Sequence, residues 1–178
     1  MHAWILPRWF ALPAAIGPVL LGYFFSGVSW ERSRLSLALA LIAASALVAS
    51  LHCWNTVADW LSGVDKEGGS VEKPYTSGSQ VIRKGWAPLW AVVLNSLVWL
   101  VISVTATFLL ADRTGSNWPW FGFGMGFVFG AFYAPVWKYF GVPDLACGLL
   151  AFGVGGVALG MSIAGHVLLK EAFLLGVA

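Results

Sequence analysis

Acidic residues are scarce in this chain and gather in one polar segment. Four of the eight Asp and Glu residues lie within 55–86, which begins Asn55-Thr-Val-Ala-Asp59-Trp-Leu-Ser-Gly63-Val-Asp65. If the preceding helix continues for about one more turn, Asn55 and Asp59 are four residues apart and share a face. Gly63 can then end the helix, so that Asp65 folds back toward the same point. One amide oxygen and two carboxylates predict a Mg²⁺ site, because Mg²⁺ prefers oxygen ligands and takes the others from water or a substrate phosphate.

Basic residues occur in the same polar segment. Lys73, Arg83 and Lys84 follow the acids along the chain, and their positive charges suit contacts with the oxygens of a phosphate-bearing substrate. A simpler interpretation is that the two acids are solvated loop residues and that the asparagine only ends a helix. The residues leave both interpretations open, and the closeness of acids and bases favours a site for a metal and a phosphate.

The composition of the chain places this segment in a membrane protein. Of the 178 residues, 59% are hydrophobic and only 10% are charged, where a soluble domain carries roughly 25%. This excludes an ordinary water-soluble globule, and a net charge of +2 offers no basic surface for nucleic acid. Five apolar stretches have about the length that crosses a bilayer. They cover 9–28, 35–54, 87–111, 118–136 and 145–169.

The apolar stretches favour helices over barrel strands. Backbone groups in lipid need hydrogen-bond partners within their own segment, and none of the five stretches alternates polar with apolar residues. We therefore predict an all-α fold, in which residues 1–178 form a single polytopic transmembrane helical bundle of about five spans. The polar segment 55–86 is the predicted substrate and metal loop of this bundle.

Basic residues near the span ends predict an orientation for the bundle. The side with the N-terminus, the polar segment and the 135–144 loop carries six Lys and Arg residues, and the other side carries four. The positive-inside rule therefore places the polar segment in the cytoplasm, with the chain in the inner membrane of the cell. Tryptophans at or near the span ends, including Trp54, Trp86 and Trp118, support the boundaries because their rings prefer the headgroup level.

Other chemically capable residues have simpler interpretations. Cys53 and Cys147 lie inside apolar runs, where a thiol usually packs as a small core residue. His52 and His166 are single histidines within or near spans, and packing roles are expected for both. Glycines recur in the last two spans, where small residues let helices approach closely.

The polar segment resembles a known family. The pattern formed by Asn55, Asp59 and Ser62-Gly63-Val64-Asp65 is similar to the first aspartate-rich motif of the UbiA superfamily of intramembrane prenyltransferases. It has the form found in the menaquinone branch, the 1,4-dihydroxy-2-naphthoate polyprenyltransferases, and the Ser-Gly-Val-Asp ending is its more specific part. Other matching segments are Arg8 with its flanking aromatics, Lys73-Pro74, Ser77-Gly78-Ser79, Tyr133-Ala-Pro135 and Lys138 to Leu145. The likeness runs from about Pro7 to Gly165 in the family's order, so the chain resembles the N-terminal part of such an enzyme.

The resemblance implies Mg²⁺-dependent transfer of a prenyl group from a polyprenyl diphosphate to an aromatic acceptor such as dihydroxynaphthoate, within the lipid bilayer. Asn55, Asp59 and Asp65 would hold the metal. Asp59, Asp65 and Tyr133 would be the catalytic residues. The role of Tyr133 would be to stabilise the developing allylic cation with its aromatic face. Four basic residues would bind the diphosphate: Lys73, Arg83, Lys84 and Lys138.

Three features depart from the family pattern. Thr56 stands where the family usually has Asp, Pro143 stands where it usually has Gly, and no second aspartate-rich motif occurs up to Ala178. The last difference predicts either a homo-oligomer or a second half-chain that completes the site, or a different role. The alternative role is that of a truncated, non-catalytic membrane protein of the same fold, which binds isoprenoid or quinone or acts as a partner subunit. A small transporter is a weaker alternative, because the spans hold almost no ionisable residues.

Overall fold

The computed structural model of the chain describes residues 11–63, 81–137, 140–141 and 144–177. Within these ranges every regular element is a helix, and none is a strand. The predicted all-α fold is therefore confirmed for the described part of the chain.

Seven α-helices make up the described fold. They are α1 (Leu12–Ser26), α2 (Trp30–Leu61), α3 (Leu89–Thr114), α4 (Trp118–Ala131), α5 (Asp144–Gly148), α6 (Gly155–Met161) and α7 (Leu169–Val177). A π-helical turn, Tyr133–Trp137, follows α4, and a second π-helical stretch, Leu149–Val154, joins α5 to α6. The helices α5 and α6, the π-helical stretch between them and a short 3₁₀ turn, Ser162–Ala164, form one continuous helical rod.

Three of the helical stretches are long and apolar enough to cross a membrane. They are α2 with 32 residues, α3 with 26 and the rod Leu145–Ala164 with 20. The first and fourth predicted spans correspond instead to α1 and α4, which have 15 and 14 residues. At about 1.5 Å per residue these helices are roughly 21–22 Å long, less than the ~30 Å thickness of a hydrocarbon core. Within the described residues, helix length and composition thus support three membrane-spanning helices, and the predicted five spans are not confirmed.

Several predicted boundaries differ from the observed ones. The second predicted span, 35–54, is too short, because α2 begins at Trp30 and continues to Leu61. Residues 55–61, which we assigned to the polar loop, therefore belong to a helix. The last predicted span, 145–169, is interrupted, since its rod ends at Ala164 and α7 begins at Leu169.

Serine hydroxyls join α2 to α3. The Ser50 hydroxyl donates to the Ser96 carbonyl at 2.9 Å, and the Ser96 hydroxyl donates to the Ser50 carbonyl at 3.0 Å. Further along, the Ser103 hydroxyl donates to the carbonyl of Ala43 at 2.7 Å. Such interhelical bonds contribute about 0.6 kcal/mol each in membrane proteins, and together they fix the register of the two longest helices.

Glycines bring α1 and the helical rod into backbone contact. A Cβ atom added at Gly160 would collide with the Val19 carbonyl oxygen, and one added at Gly22 would collide with that of Val157. The predicted role of glycine in close packing is therefore confirmed at Gly160, whereas Gly124 has no neighbour within 4 Å of an added Cβ atom. The two ends of α2 define the two ends of the bundle, the Asn55 end and the opposite Arg32 end.

Candidate functional site

The last two turns of α2 carry a polar face. Asn55 and Asp59 both lie within α2, so the predicted extension of this helix is confirmed. His52 shares their face, because residues three, four and seven apart stack on one side of a helix. After this face the helix ends: Gly63 has a φ of +86°, a left-handed conformation that suits glycine at a helix end. The predicted helix stop at Gly63 is also confirmed.

Asn55 lines a cavity of about 110 Å³ at this end of the bundle. The cavity lies between α2, the π-helical turn and the first part of the rod, which contribute His52, Tyr133 and Cys147 to its wall. The Oδ1 atom of Asn55 is buried and accepts no hydrogen bond from the described residues. A buried polar atom without a partner costs about 1–3 kcal/mol. The oxygen is therefore a polar group beside the cavity that the described residues leave without a partner.

Asp59 lies one helical turn beyond Asn55 on the same face of α2. This turn corresponds to about 6 Å along the helix axis. Asp59 is half-buried, and it does not belong to the wall of the cavity. The two oxygen-bearing side chains are thus placed in sequence, one in the cavity and one nearer the end of the helix.

Aromatic contacts hold Tyr133 beside this face. The Trp54 indole donates to the Ala131 carbonyl at 3.0 Å, which joins α2 to the end of α4. On the other side of the π-helical turn, the rings of Trp137 and Phe129 stack with centroids 5.8 Å apart. These contacts fix the turn that carries Tyr133, so that this predicted catalytic residue and Asn55 share one cavity.

Arg83 and Lys84 occupy a different surface. They belong to a turn over residues 81–85, whose buried Val81 packs with Cys53 and Val57 of α2. Cys53 and Val57 lie on the face of α2 opposite to Asn55 and Asp59, because a shift of two residues rotates a helix position by about 200°. Both basic side chains are exposed, and neither lines the cavity.

The Lys84 ammonium has an aromatic contact on this surface. It lies 5.3 Å from the centroid of the Trp86 ring, within the range of a cation–π interaction. The structure therefore brings Asn55, Asp59 and Tyr133 to one side of α2 and the two basic residues to the other side.

The remaining predicted site residues, Asp65, Lys73 and Lys138, lie outside the described residues. Among the described residues, no group of three or more His, Cys, Asp or Glu side chains is arranged to hold a metal ion. The unpartnered oxygen of Asn55 nevertheless fits Mg²⁺, which keeps several waters and needs only one or two protein carboxylates. Asn55 and Asp59 are the described residues that could hold it.

Eight cavity residues had no predicted role in the site, and four of them are His52, Phe129, Cys147 and Phe152. For His52 a signal was present, because its spacing of three from Asn55 and seven from Asp59 is that of one helix face. The other three residues lie about 75 to 100 positions farther along the chain, and only the tertiary packing brings them to the cavity.

No protein-family model, curated protein or solved structure matches this chain. The likeness to the UbiA superfamily therefore stays a prediction from the sequence segments that carry it.

Proposed function

We propose that the chain transfers a prenyl group, with Mg²⁺, from a polyprenyl diphosphate to an aromatic acceptor such as dihydroxynaphthoate. One observation carries the proposal: Tyr133 and Asn55, whose buried oxygen has no partner among the described residues, line one cavity in an apolar helical bundle. The cavity has room for a small polar group of the substrate. The isoprenoid tail would extend into the surrounding lipid. The reaction would take place at the cytoplasmic face of the inner membrane, within a homo-oligomer or with a second half-chain.

The polar face of α2 would bind the diphosphate end of the substrate. Asn55 and Asp59, together with Asp65 from the predicted motif, would supply oxygen ligands. Mg²⁺, when bound there, neutralises negative charge that builds on the leaving diphosphate. Because Arg83 and Lys84 lie across α2 from the cavity, they would attract the diphosphate to this end of the bundle, while Asn55 and Asp59 would hold it through the metal. Lys73 and Lys138 are the further basic residues of this proposal.

The aromatic wall would bind the reacting carbon. As the allylic C–O bond breaks, its electron pair leaves with the diphosphate and positive charge develops on the prenyl group. Tyr133 and the nearby rings of Phe129 and Phe152 can stabilise this charge by about 0.5–2 kcal/mol per ring. A carbon of the acceptor ring then forms the new C–C bond, and the group already on that carbon leaves, a hydrogen as H⁺ or a carboxylate as CO₂, so that the ring becomes aromatic again.

The proposal is tested by an assay of product in membranes. Labelled polyprenyl diphosphate and dihydroxynaphthoate are added with Mg²⁺ or with EDTA, and Asn55→Ala and Asp59→Ala are compared with the parent chain. Matched controls are Asn117→Ala and Asp112→Ala, since both residues are exposed near the Arg32 end. We expect the first pair to lose product and the control pair to keep it. Equal product from Asp59→Ala and the parent chain would contradict the proposed metal role.

A second candidate function is binding without chemistry, in which the chain holds isoprenoid or quinone or acts as a partner subunit. The position of Arg83 and Lys84 away from the cavity favours it, because the described part of the cavity wall carries no Lys or Arg side chain. A quinone oxygen could accept a hydrogen bond from the Asn55 amide N–H₂ group instead. Saturable binding of menaquinone that Asn55→Ala weakens, with no transfer product under any condition, would favour this function.

A further inference from the structure

A second cleft lies at the Arg32 end of the bundle, away from the proposed site. Its volume is about 450 Å³, and it is an open cleft bordered by the start of α2, the end of α3 and the end of the rod. Arg32, Ser36, Arg113 and Thr114 supply the polar part of its wall. The cleft thus combines two positive charges with two hydroxyl groups, and the proposed prenyl transfer uses none of them.

Neither guanidinium group of the cleft pairs with an acid among the described residues. The Arg113 Nε atom donates to the hydroxyl of buried Ser36 at 3.2 Å, which holds this side chain against α2. Neither Arg32 nor Arg113 forms an ion pair within the part of the chain that the structure describes, although Glu31 and Asp112 are their sequence neighbours. Their charges are therefore left for a ligand from outside.

The cleft lies at the level of the lipid headgroups if α2 and α3 cross a bilayer. Arg32 is in the first turn of α2 and Arg113 is in the last turn of α3. Trp30, the first residue of α2, is 59% exposed, and exposed tryptophans at span ends prefer this level. Anionic lipids present phosphate groups there, and arginine binds phosphate through two parallel N–H donors.

We propose that this cleft binds the phosphate group of an anionic membrane lipid. Arg32 and Arg113 contact the phosphate oxygens through their guanidinium N–H groups. The acyl chains then lie along the exposed apolar side chains of the neighbouring helices. This site stands independently of the proposed prenyl transfer, because it shares no residue with the Asn55 cavity.

Lipid retention by the purified full chain tests the site. Phosphatidylglycerol and phosphatidylcholine are titrated separately onto the chain in detergent, and bound lipid is counted by native mass spectrometry. Arg32→Gln and Arg113→Gln should each weaken phosphatidylglycerol binding about fivefold, which corresponds to about 1 kcal/mol per basic residue at a lipid surface. The matched control is Arg34→Gln, because Arg34 is an exposed arginine on the same helix that does not line the cleft. It should change binding less than about twofold, and all variants should bind phosphatidylcholine like the parent chain.

A conservative pair of substitutions separates charge from folding. Arg32→Lys with Arg113→Lys keeps both charges, so this variant should retain more phosphatidylglycerol than the glutamine variants. Equal losses for all three glutamine variants would overturn the site, since they would reflect net charge alone. Unchanged binding in Arg32→Gln and Arg113→Gln would overturn it as well. Full displacement of the lipid by millimolar inorganic phosphate would overturn the assignment to a lipid and would indicate a soluble phosphate ligand.

Discussion

The indole Nε1 atom of Trp54 donates a hydrogen bond of 3.0 Å to the carbonyl oxygen of Ala131. Pro135 lies four residues after Ala131 and has no N–H group, so this carbonyl lacks the partner that a continuous helix would provide. Trp54 supplies the missing donor from α2. The bond therefore stabilises the backbone at the end of α4, just before the turn that carries Tyr133.

Replacement of Trp54 by Phe should lower stability by about 1 kcal/mol, because the Ala131 carbonyl loses its donor while most of the aromatic packing remains. Thermal unfolding in detergent measures the effect. Trp90→Phe is the matched control, since Trp90 is 65% exposed on α3 and should leave the unfolding temperature unchanged. An equal unfolding temperature for the two variants would show that the Trp54 bond contributes nothing.

Replacement of Asn55 by Leu should separate stability from function. The buried Oδ1 atom has no partner among the described residues, so its removal should leave the free energy of unfolding unchanged or raise it by about 1 kcal/mol. Transfer or ligand binding should be lost in the same variant. The comparison is Asn95→Leu, which removes a hydrogen bond to the Cys53 sulfur at 3.4 Å and should not be stabilising. A strongly destabilised Asn55→Leu would mean that this side chain serves packing.

The proposed metal site predicts a shift in Mg²⁺ dependence. Asp59→Asn keeps the shape of the side chain and removes its charge, so it should raise the Mg²⁺ concentration for half-maximal transfer roughly tenfold or more, as even groups behind metal ligands contribute about 10–100-fold in affinity. Asp112→Asn, at the Arg32 end, should leave that concentration unchanged. The measurement is product formed as a function of free Mg²⁺ concentration. The same half-maximal Mg²⁺ concentration for both variants would show that Asp59 is not part of the metal site.

The sequence was informative wherever the determinants are local. The spacing of Asn55 and Asp59 and the position of Gly63 predicted the end of α2, because a helix face and a helix stop depend on neighbouring residues. The position of the basic turn could not be predicted in this way. Arg83 and Lys84 are placed by the burial of Val81 against the far side of α2, which is a tertiary contact. The shortness of α4 likewise reflects Pro135, which has no N–H group to continue the helix. A count of hydrophobic residues does not detect this effect in a wholly apolar stretch.

The contact between α1 and the rod predicts opposite effects for two glycines. A methyl group at Gly160 would collide with the backbone of Val19, whereas one at Gly124 would meet nothing within 4 Å. Gly160→Ala should therefore lower stability by about 1–3 kcal/mol through overpacking. Gly124→Ala lies within α4 and should raise stability by up to about 1 kcal/mol, because alanine favours a helix interior. Thermal unfolding of both variants in the same detergent gives the signs, and a neutral Gly160→Ala would mean that α1 and the rod do not pack through their backbones.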